Sequence, residues 1–377
     1  MTEAELLARL RLARTDGIGP LTFRRLLDRY GSGAAAVAAL PGWSAQRNTP
    51  FRLPEAGEIA REHDAVRRMG GRFLLWGEPD YPPLLALLED APVVLAVLGD
   101  PAVLSARQVA VVGARNASAG GRRIAEELAQ GLAAAGLTVT SGLARGIDAA
   151  AHAGALRAGQ TVAALPGGLD VAYPPENARL QDAIAERGAL VAEAPLGTAP
   201  LARHFPRRNR VVAGLSLGVA VVEAALRSGT LITARLAIEA GREVYAVPGS
   251  PLDPRCQGSN DLLRQGAHLC ERAADVLETL PDSPHPVPLF RPRPEPARAA
   301  PAVPHPSAER DCGGDETSQL LELIGHSPVQ VDEVLRRCHL SPATAQAMLL
   351  DLELSGRVEM LPGNRIVRSA VPGREGT

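Results

Sequence analysis

The strongest constraint on the fold is an alternation that runs through the middle of the chain. Between residues 76 and 280, short β-branched or wholly apolar runs recur at Val109–Val112, Leu137–Thr140, Thr161–Leu165, Leu190–Glu193, Val219–Val222 and Val244–Val247. Segments of helical character separate them: Gly121–Ala135, Ala149–Ala158, Asn177–Arg187 and Thr230–Ala240. A strand that is apolar at every position must be covered on both faces. A helix between two such strands returns the chain to the same end of the sheet. The middle of the chain is therefore predicted to build an α/β fold with a doubly wound, mostly parallel sheet.

The flanks read differently. Residues 1–75 are predicted helical, with Leu6, Leu7, Leu10 and Leu12, and later Leu26 and Leu27, near helical spacing. Thr15-Asp16-Gly17-Ile18-Gly19-Pro20 breaks that pattern, and a helix resumes near Leu21. This is the outline of a helix-hairpin-helix, whose glycines let backbone N–H groups approach a phosphate. An ordinary turn in a small helical bundle is the competing reading. Residues 281–314 are rich in proline and predict a semi-rigid linker. In residues 315–370, helices are expected at Glu316–Ile324, Val331–Arg337 and Pro342–Ser355. Strands are expected at Val358–Leu361 and Arg365–Arg368, turned by Pro362-Gly363-Asn364. Ser341 is placed to cap its helix ahead of Pro342. Three helices and a hairpin predict a winged helix. Its would-be recognition segment, Pro342–Met348, holds no arginine, so contact with protein competes with contact with DNA.

In doubly wound sheets, ligands bind beyond the carboxyl ends of the strands, where the strand order reverses. Several predicted strands end in glycine-rich or polar turns: Gly113-Ala114-Arg115-Asn116-Ala117-Ser118, Ser141-Gly142-Leu143-Ala144-Arg145-Gly146-Ile147-Asp148, Pro166-Gly167-Gly168 and Pro248-Gly249-Ser250. Another leads through Glu223 to Ser228-Gly229-Thr230, which opens a helix. Such turns expose N–H groups and positive helix ends, and Arg115 and Arg145 add full charges, so the expected ligand is an anion. Asp148 is expected to cap its helix. Glu193 and Glu223 are expected to be structural. His152 and His204 have neither metal-ligand spacing nor a nucleophile beside them. No catalytic constellation stands out, and the first turn lacks the G-x-G-x-x-G of a dinucleotide site.

One further segment points to the kind of anion. His204-Phe205-Pro206-Arg207-Arg208-Asn209-Arg210, preceded by Arg203, sets an aromatic ring beside a tight basic group. Aromatic platforms next to positive charge hold single-stranded nucleic acid. A helix start with solvated arginines is the alternative. The formal net charge is −2, so a nucleic-acid site has to be a local patch. All 40 basic residues are arginine, which excludes a Walker-type phosphate loop and Schiff-base chemistry. The four cysteines lie far apart, arguing against zinc and against a disulfide scaffold. No basic and apolar leader opens the sequence, and no apolar stretch reaches the roughly 18 residues of a membrane span. A soluble, cytoplasmic protein with no metal and no cofactor is the expectation.

Several of these segments, together with Tyr81-Pro82-Pro83-Leu84-Leu85, Phe205–Ser216, Ser228–Ala234 and Val247-Pro248-Gly249, stand in one order. In that order the chain resembles the DNA-processing protein A (DprA/Smf) family over roughly residues 75–280. The resemblance implies an extended Rossmann-like domain flanked by an N-terminal helical (helix-hairpin-helix or SAM-like) domain and a C-terminal winged helix. The four parts would span residues 1–75, 76–280, 281–314 and 315–370. It also implies a non-enzymatic protein that protects single-stranded DNA in natural transformation and loads RecA recombinase onto strands coated by single-strand-binding protein. Such a protein dimerises through the sheet domain. Carried over, Arg115 and Arg145 would hold phosphates and Phe205 would stack on a base. Arg208, Asn209, Arg210 and Ser228 would line the same pocket. Gly113, Ser118, Ser141, Gly142, Gly146, Arg203, Arg207, Gly229 and Thr230 complete the expected nucleic-acid surface. Ala114 and Thr230 stand where the family often has serine. Nucleotide phosphoribohydrolases carry P-G-G-x-G-T-x-x-E as one block, but here Pro166-Gly167-Gly168 leads into Leu169-Asp170. A nucleotide-sensing transcriptional regulator would need a better-armed recognition helix.

Overall fold

The structure is a computed structural model that describes residues 1–45, 51–283, 314–325, 327–338, 340–361 and 363–369. The proline-rich linker expected at 281–314 lies outside the described residues except at its two ends, as does Pro362 of the expected hairpin turn. The chain forms two compact units. One holds Met1–Arg14 and the described residues of Pro54–Val287, the other the described residues of Thr15–Leu53 and Pro288–Thr377.

The first unit is built on nine strands: β1 (Arg72–Leu75), β2 (Val94–Gly99), β3 (Gln108–Gly113), β4 (Thr138–Ser141), β5 (Thr161–Leu165), β6 (Ala189–Ala192), β7 (Gly218–Val222), β8 (Glu243–Ala246) and β9 (His268–Leu269). Their order in the sheet is β1-β2-β6-β5-β4-β3-β7-β8-β9. From β6 to β9 every neighbouring pair is parallel. The pairs β1/β2 and β2/β6 are antiparallel. Residues 72–75, expected to be helical, are thus the edge strand of the sheet. They pair with β2 in the register Arg72↔Val97 to Leu75↔Val94.

Two-sided burial explains why the central strands are apolar without alternation. Ala110, Val112, Val219 and Val221 share one core cluster with Val211, Val212 and Leu215 of the His204–Leu215 helix and Ala234 and Ala237 of the Gly229–Glu239 helix. Val109, Val111, Ala220 and Val222 belong to a second cluster. It also holds Leu128 and Leu132 of the Ala119–Ala134 helix and Ala151 and Ala155 of the Ile147–Ala158 helix. Successive residues of one strand enter opposite layers, as the pleat requires. Among the described residues, no helix is long and apolar enough to cross a membrane.

The second unit contains the helices Pro20–Tyr30, Gly33–Ser44, Gly314–Leu323, Val331–Arg337 and Pro342–Leu354. Its strands β10 (Val329–Gln330), β11 (Val358–Leu361) and β12 (Arg365–Arg368) form an antiparallel sheet in the order β10-β12-β11. The expected Ser341 cap is present, its hydroxyl accepting from the Thr344 N–H at 3.2 Å. Leu320, Ile324, Val334, Leu349 and Ile366 form the winged-helix core.

Candidate nucleic-acid interface

Strand order creates the site. From β3 the chain steps through β4 and β5 to β6 in one direction, then crosses back to β7 on the other side of β3. The carboxyl ends of β3 and β7 therefore diverge at a topological switch point. The crossing includes the His204–Leu215 helix, which starts beyond the carboxyl end of β6 and leads down to the start of β7. Its first turn accordingly stands at the mouth of the crevice.

That turn carries the ring. Phe205 is half-buried, with the Arg115 guanidinium 4.6 Å from its centroid and the Arg208 guanidinium 5.8 Å away. Tyr173 meets it edge-on, with centroids 5.9 Å apart and planes at 65°. Arg115, Arg203 and Arg207 are exposed, and no carboxylate pairs with them among the described residues. Arg145 pairs with Glu176 at 3.2 Å, both side chains more than half exposed (68% and 51%), a contact that solvent weakens. Arg115 and Arg145 also line a cleft of about 770 Å³ together with Asn116, Arg122, Glu126 and Asn177. Ser228 is the N-cap of the Gly229–Glu239 helix but makes no side-chain cap bond, and its Oγ is buried with no hydrogen-bond partner among the described residues. A hydroxyl left open at a helix N-terminus is suited to an anion.

Other expected site residues hold the frame. Arg208 is buried, 7% exposed, and its Nη1 donates to the Gly142 carbonyl. Its Nε donates to Asn209 Oδ1 at 3.0 Å, and Asp148 Oδ2 lies 3.8 Å from Nη1. Burial pushes the Asp148 carboxyl above its usual range, against the pull of Arg208 and of the Ala144, Gly142 and Gly113 N–H groups. Burial likewise lowers Arg208, against the pull of Asp148. Asn209 Nδ2 donates to the Gly229 carbonyl at 3.3 Å, and Thr230 Oγ1 to that of Gly113 at 3.1 Å. Ser141 Oγ donates to the Val111 carbonyl at 2.6 Å. Ser118 caps the Ala119–Ala134 helix, accepting from the Gly121 N–H at 2.8 Å while its own N–H and hydroxyl donate to Glu223. Arg210 faces away from the ring: it donates to the Asp90 carboxylate at 2.9 Å and to both Glu193 oxygens at 2.9 and 2.8 Å. Gly146, not Asp148, is the N-cap of the Ile147–Ala158 helix. Its φ of +77° bends the chain sharply enough to leave Asp148 on the first turn, facing inward. Tyr173, Asp90 and Asn177 were not singled out from the sequence: Tyr173 and Asp90 stand on loops, Asn177 is the N-cap of the Ala178–Arg187 helix, and their partners lie far away in the chain.

Comparison with known proteins accords with this arrangement. Residues 72–281 match the family model described as DNA recombination-mediator protein A. Residues 3–65 match a DprA-like N-terminal HHH domain and residues 294–364 a DprA winged helix domain. The chain belongs to the DprA/Smf family. Over 293 residues it is 42% identical to Protein Smf of Escherichia coli K12, covering 76% of this chain and 74% of that protein. It is 41% identical to the DNA processing protein DprA of Bacillus subtilis over 227 residues, 60% of this chain and 76% of the relative. The X-ray structure of DprA from Streptococcus pneumoniae superposes with a TM-score of 0.63 at 33% identity, covering 74% of this chain and 99% of that one. DNA processing protein A from Helicobacter pylori, described for its unique single-stranded DNA binding mode, superposes at 0.51 with 30% identity, covering 56% of this chain and 95% of that one. The DprA/Smf assignment carries with it the mostly parallel sheet, the N-terminal helices and the winged helix.

Proposed function

We propose that this protein binds single-stranded DNA in the crevice between the ends of β3 and β7, and that it serves recombination and natural transformation by protecting strands and passing them to the RecA recombinase. The observation that carries this reading is the Arg115–Phe205 stack, flanked by Arg203 and Arg207, at the switch point of the sheet. A base displaces the guanidinium from the ring face, the guanidinium moves to a phosphate, and Ser228 meets a second oxygen. An extended single strand can present bases and phosphates in this way, whereas a duplex keeps its bases stacked in the helix. The crevice carboxylates favour binding over catalysis, because Glu223 is held by Ser118 and Asp148 by Arg208 and backbone N–H groups. Single-strand-binding protein would be the competitor on the strand. A homodimer formed through the sheet domain would engage one strand twice, raising avidity without new contacts. The place of action would be the cytoplasm.

The test is fluorescence anisotropy with labelled oligothymidine and a matched duplex, comparing wild type, Arg115→Ala and Phe205→Ala. Tight single-strand binding, weak duplex binding and loss in both variants are expected. Equal affinity for the duplex, or variants that bind like wild type, would refute the crevice as the binding site.

A further inference from the structure

We propose that Arg29, Tyr30 and Trp43, in the second unit, form an additional contact for single-stranded DNA, and that Asp351 of the winged helix occupies this contact until a strand displaces it. This rests on the single-strand reading above and locates a second point of engagement.

The helix Pro20–Tyr30 ends in Arg29 and Tyr30, and the helix Gly33–Ser44 brings back Trp43. Trp43 Nε1 donates to Tyr30 Oη at 2.8 Å, which fixes the two rings as one surface. The Arg29 guanidinium lies 5.2 Å from the Trp43 ring centroid and 5.7 Å from that of Tyr30. Both aromatic residues remain partly exposed. The chain has only two tryptophans and four tyrosines, so placing one of each under an arginine at the surface concentrates a scarce resource. Ring faces beside a guanidinium are the chemistry that holds unpaired bases and their phosphates.

The charge on Arg29 is met by Asp351, from the Pro342–Leu354 helix. Guanidinium accepts carboxylate and phosphate with the same fork of donors, so Asp351 stands where a phosphate oxygen would. The neighbouring acid behaves differently. Glu353 Oε1 accepts from Thr22 Oγ1 at 2.6 Å, and Thr22 is buried. Glu353 is an anchor that stays in place. Arg29 and Asp351 keep 37% and 43% of their side-chain surface exposed, so a strand can reach and compete for that pair. The arrangement also gives the arginine-poor helix Pro342–Leu354 a role: its C-terminal end, through Asp351, covers a DNA contact and the helix does not itself read bases.

The test uses the full-length protein, following intrinsic tryptophan fluorescence with unlabelled oligothymidine and, in parallel, the anisotropy of the labelled strand. Wild type should show quenching that Trp43→Phe abolishes, leaving the Trp76 signal. Asp351→Asn should tighten binding about two- to fivefold, the range open to loss of an exposed competing ion pair, and Arg29→Ala should cancel that gain. Phe205→Ala reports separately on the sheet crevice. If it weakens binding while Asp351→Asn binds like wild type, or while quenching persists in Trp43→Phe, the second contact is wrong and the crevice stands. If Trp43 quenching and the Asp351→Asn gain are seen while Phe205→Ala has no effect, the second contact stands and the crevice is wrong.

Discussion

Two residues near the start of the His204–Leu215 helix, Phe205 and Arg210, are expected to fail in opposite ways when removed. Phe205 offers a half-exposed ring to the crevice. Its truncation should weaken oligothymidine binding by about 1–3 kcal/mol per stacked base, with the thermal midpoint nearly unchanged. Arg210 ties Asp90 and Glu193 together away from the ring. Arg210→Ala should cost on the order of 2 kcal/mol of folding stability, as expected for losing hydrogen bonds to charged groups, readable as a lower urea midpoint. Binding measured well below the midpoint should hold. His152 makes a third residue-scale prediction. Thr161 Oγ1 donates to the Val139 carbonyl at 2.6 Å, so His152 Nδ1, 2.7 Å from that oxygen, must be the donor between them. Nε2 is left unprotonated and buried, with no hydrogen-bond partner among the described residues. Burial first, and the Arg208 charge second, lower the imidazole to about 3. The unfolded chain takes up this proton near pH 6.5 and the folded chain only near pH 3. The contribution is therefore complete above about pH 6.5 and is lost on acidification toward pH 3, at up to about 1.4 kcal/mol per pH unit. His152→Gln should remove that part of the acid slope in denaturant titrations between about pH 4 and pH 6.

At the scale of elements, the crevice depends on loops that pack against buried groups. A Cβ at Gly142 would lie 1.3 Å from Arg208 Nη1, so Gly142→Ala must expel the guanidinium from its seat beside Asp148. An uncompensated buried carboxylate costs about 3–5 kcal/mol, so this single methyl should lower both stability and single-strand affinity. Gly146→Ala should do the same by another route. Its Cβ would meet the Ala114 carbonyl at 2.3 Å, where φ is already +77°. Circular dichroism melts and anisotropy on both variants check the pair. A variant with wild-type melting and wild-type affinity would contradict the role given to these loops. Much of this layer was legible in the sequence. Thr161–Leu165, Val358–Leu361 and Arg365–Arg368 are strands at the expected residues, because apolar β-branched runs bounded by turns leave little alternative. Four strands were not anticipated. β1 follows a helix after three residues, β2 precedes the first strand–helix repeat, and β9 and β10 are two residues long each, so none stood inside a repeat that could be read.

For the whole molecule, the net charge of −2 makes binding a property of one patch. Single-strand affinity should fall with salt at a log–log slope of about −0.7 per neutralised phosphate, and Arg115→Ala should flatten that slope by about one such unit. Arg210→Ala should leave the slope as in wild type, since its charge is already neutralised internally. An anisotropy series in sodium chloride separates the two arginines even if both variants lose some affinity.

The sequence by itself determined the sheet class, the winged helix, the strand-end turns and the presence of an aromatic–arginine segment, because periodicity and turn chemistry are local. Only the tertiary structure decided how the arginines of that segment divide their work. The N-cap and first two turns of this helix send Arg208 inward to Gly142, Arg210 sideways to Asp90 and Glu193, and leave Arg203 and Arg207 in solvent. Their partners come from strand ends and loops far away in the chain. An arginine that holds the fold and one that is free to hold a phosphate therefore look alike until those partners are in place.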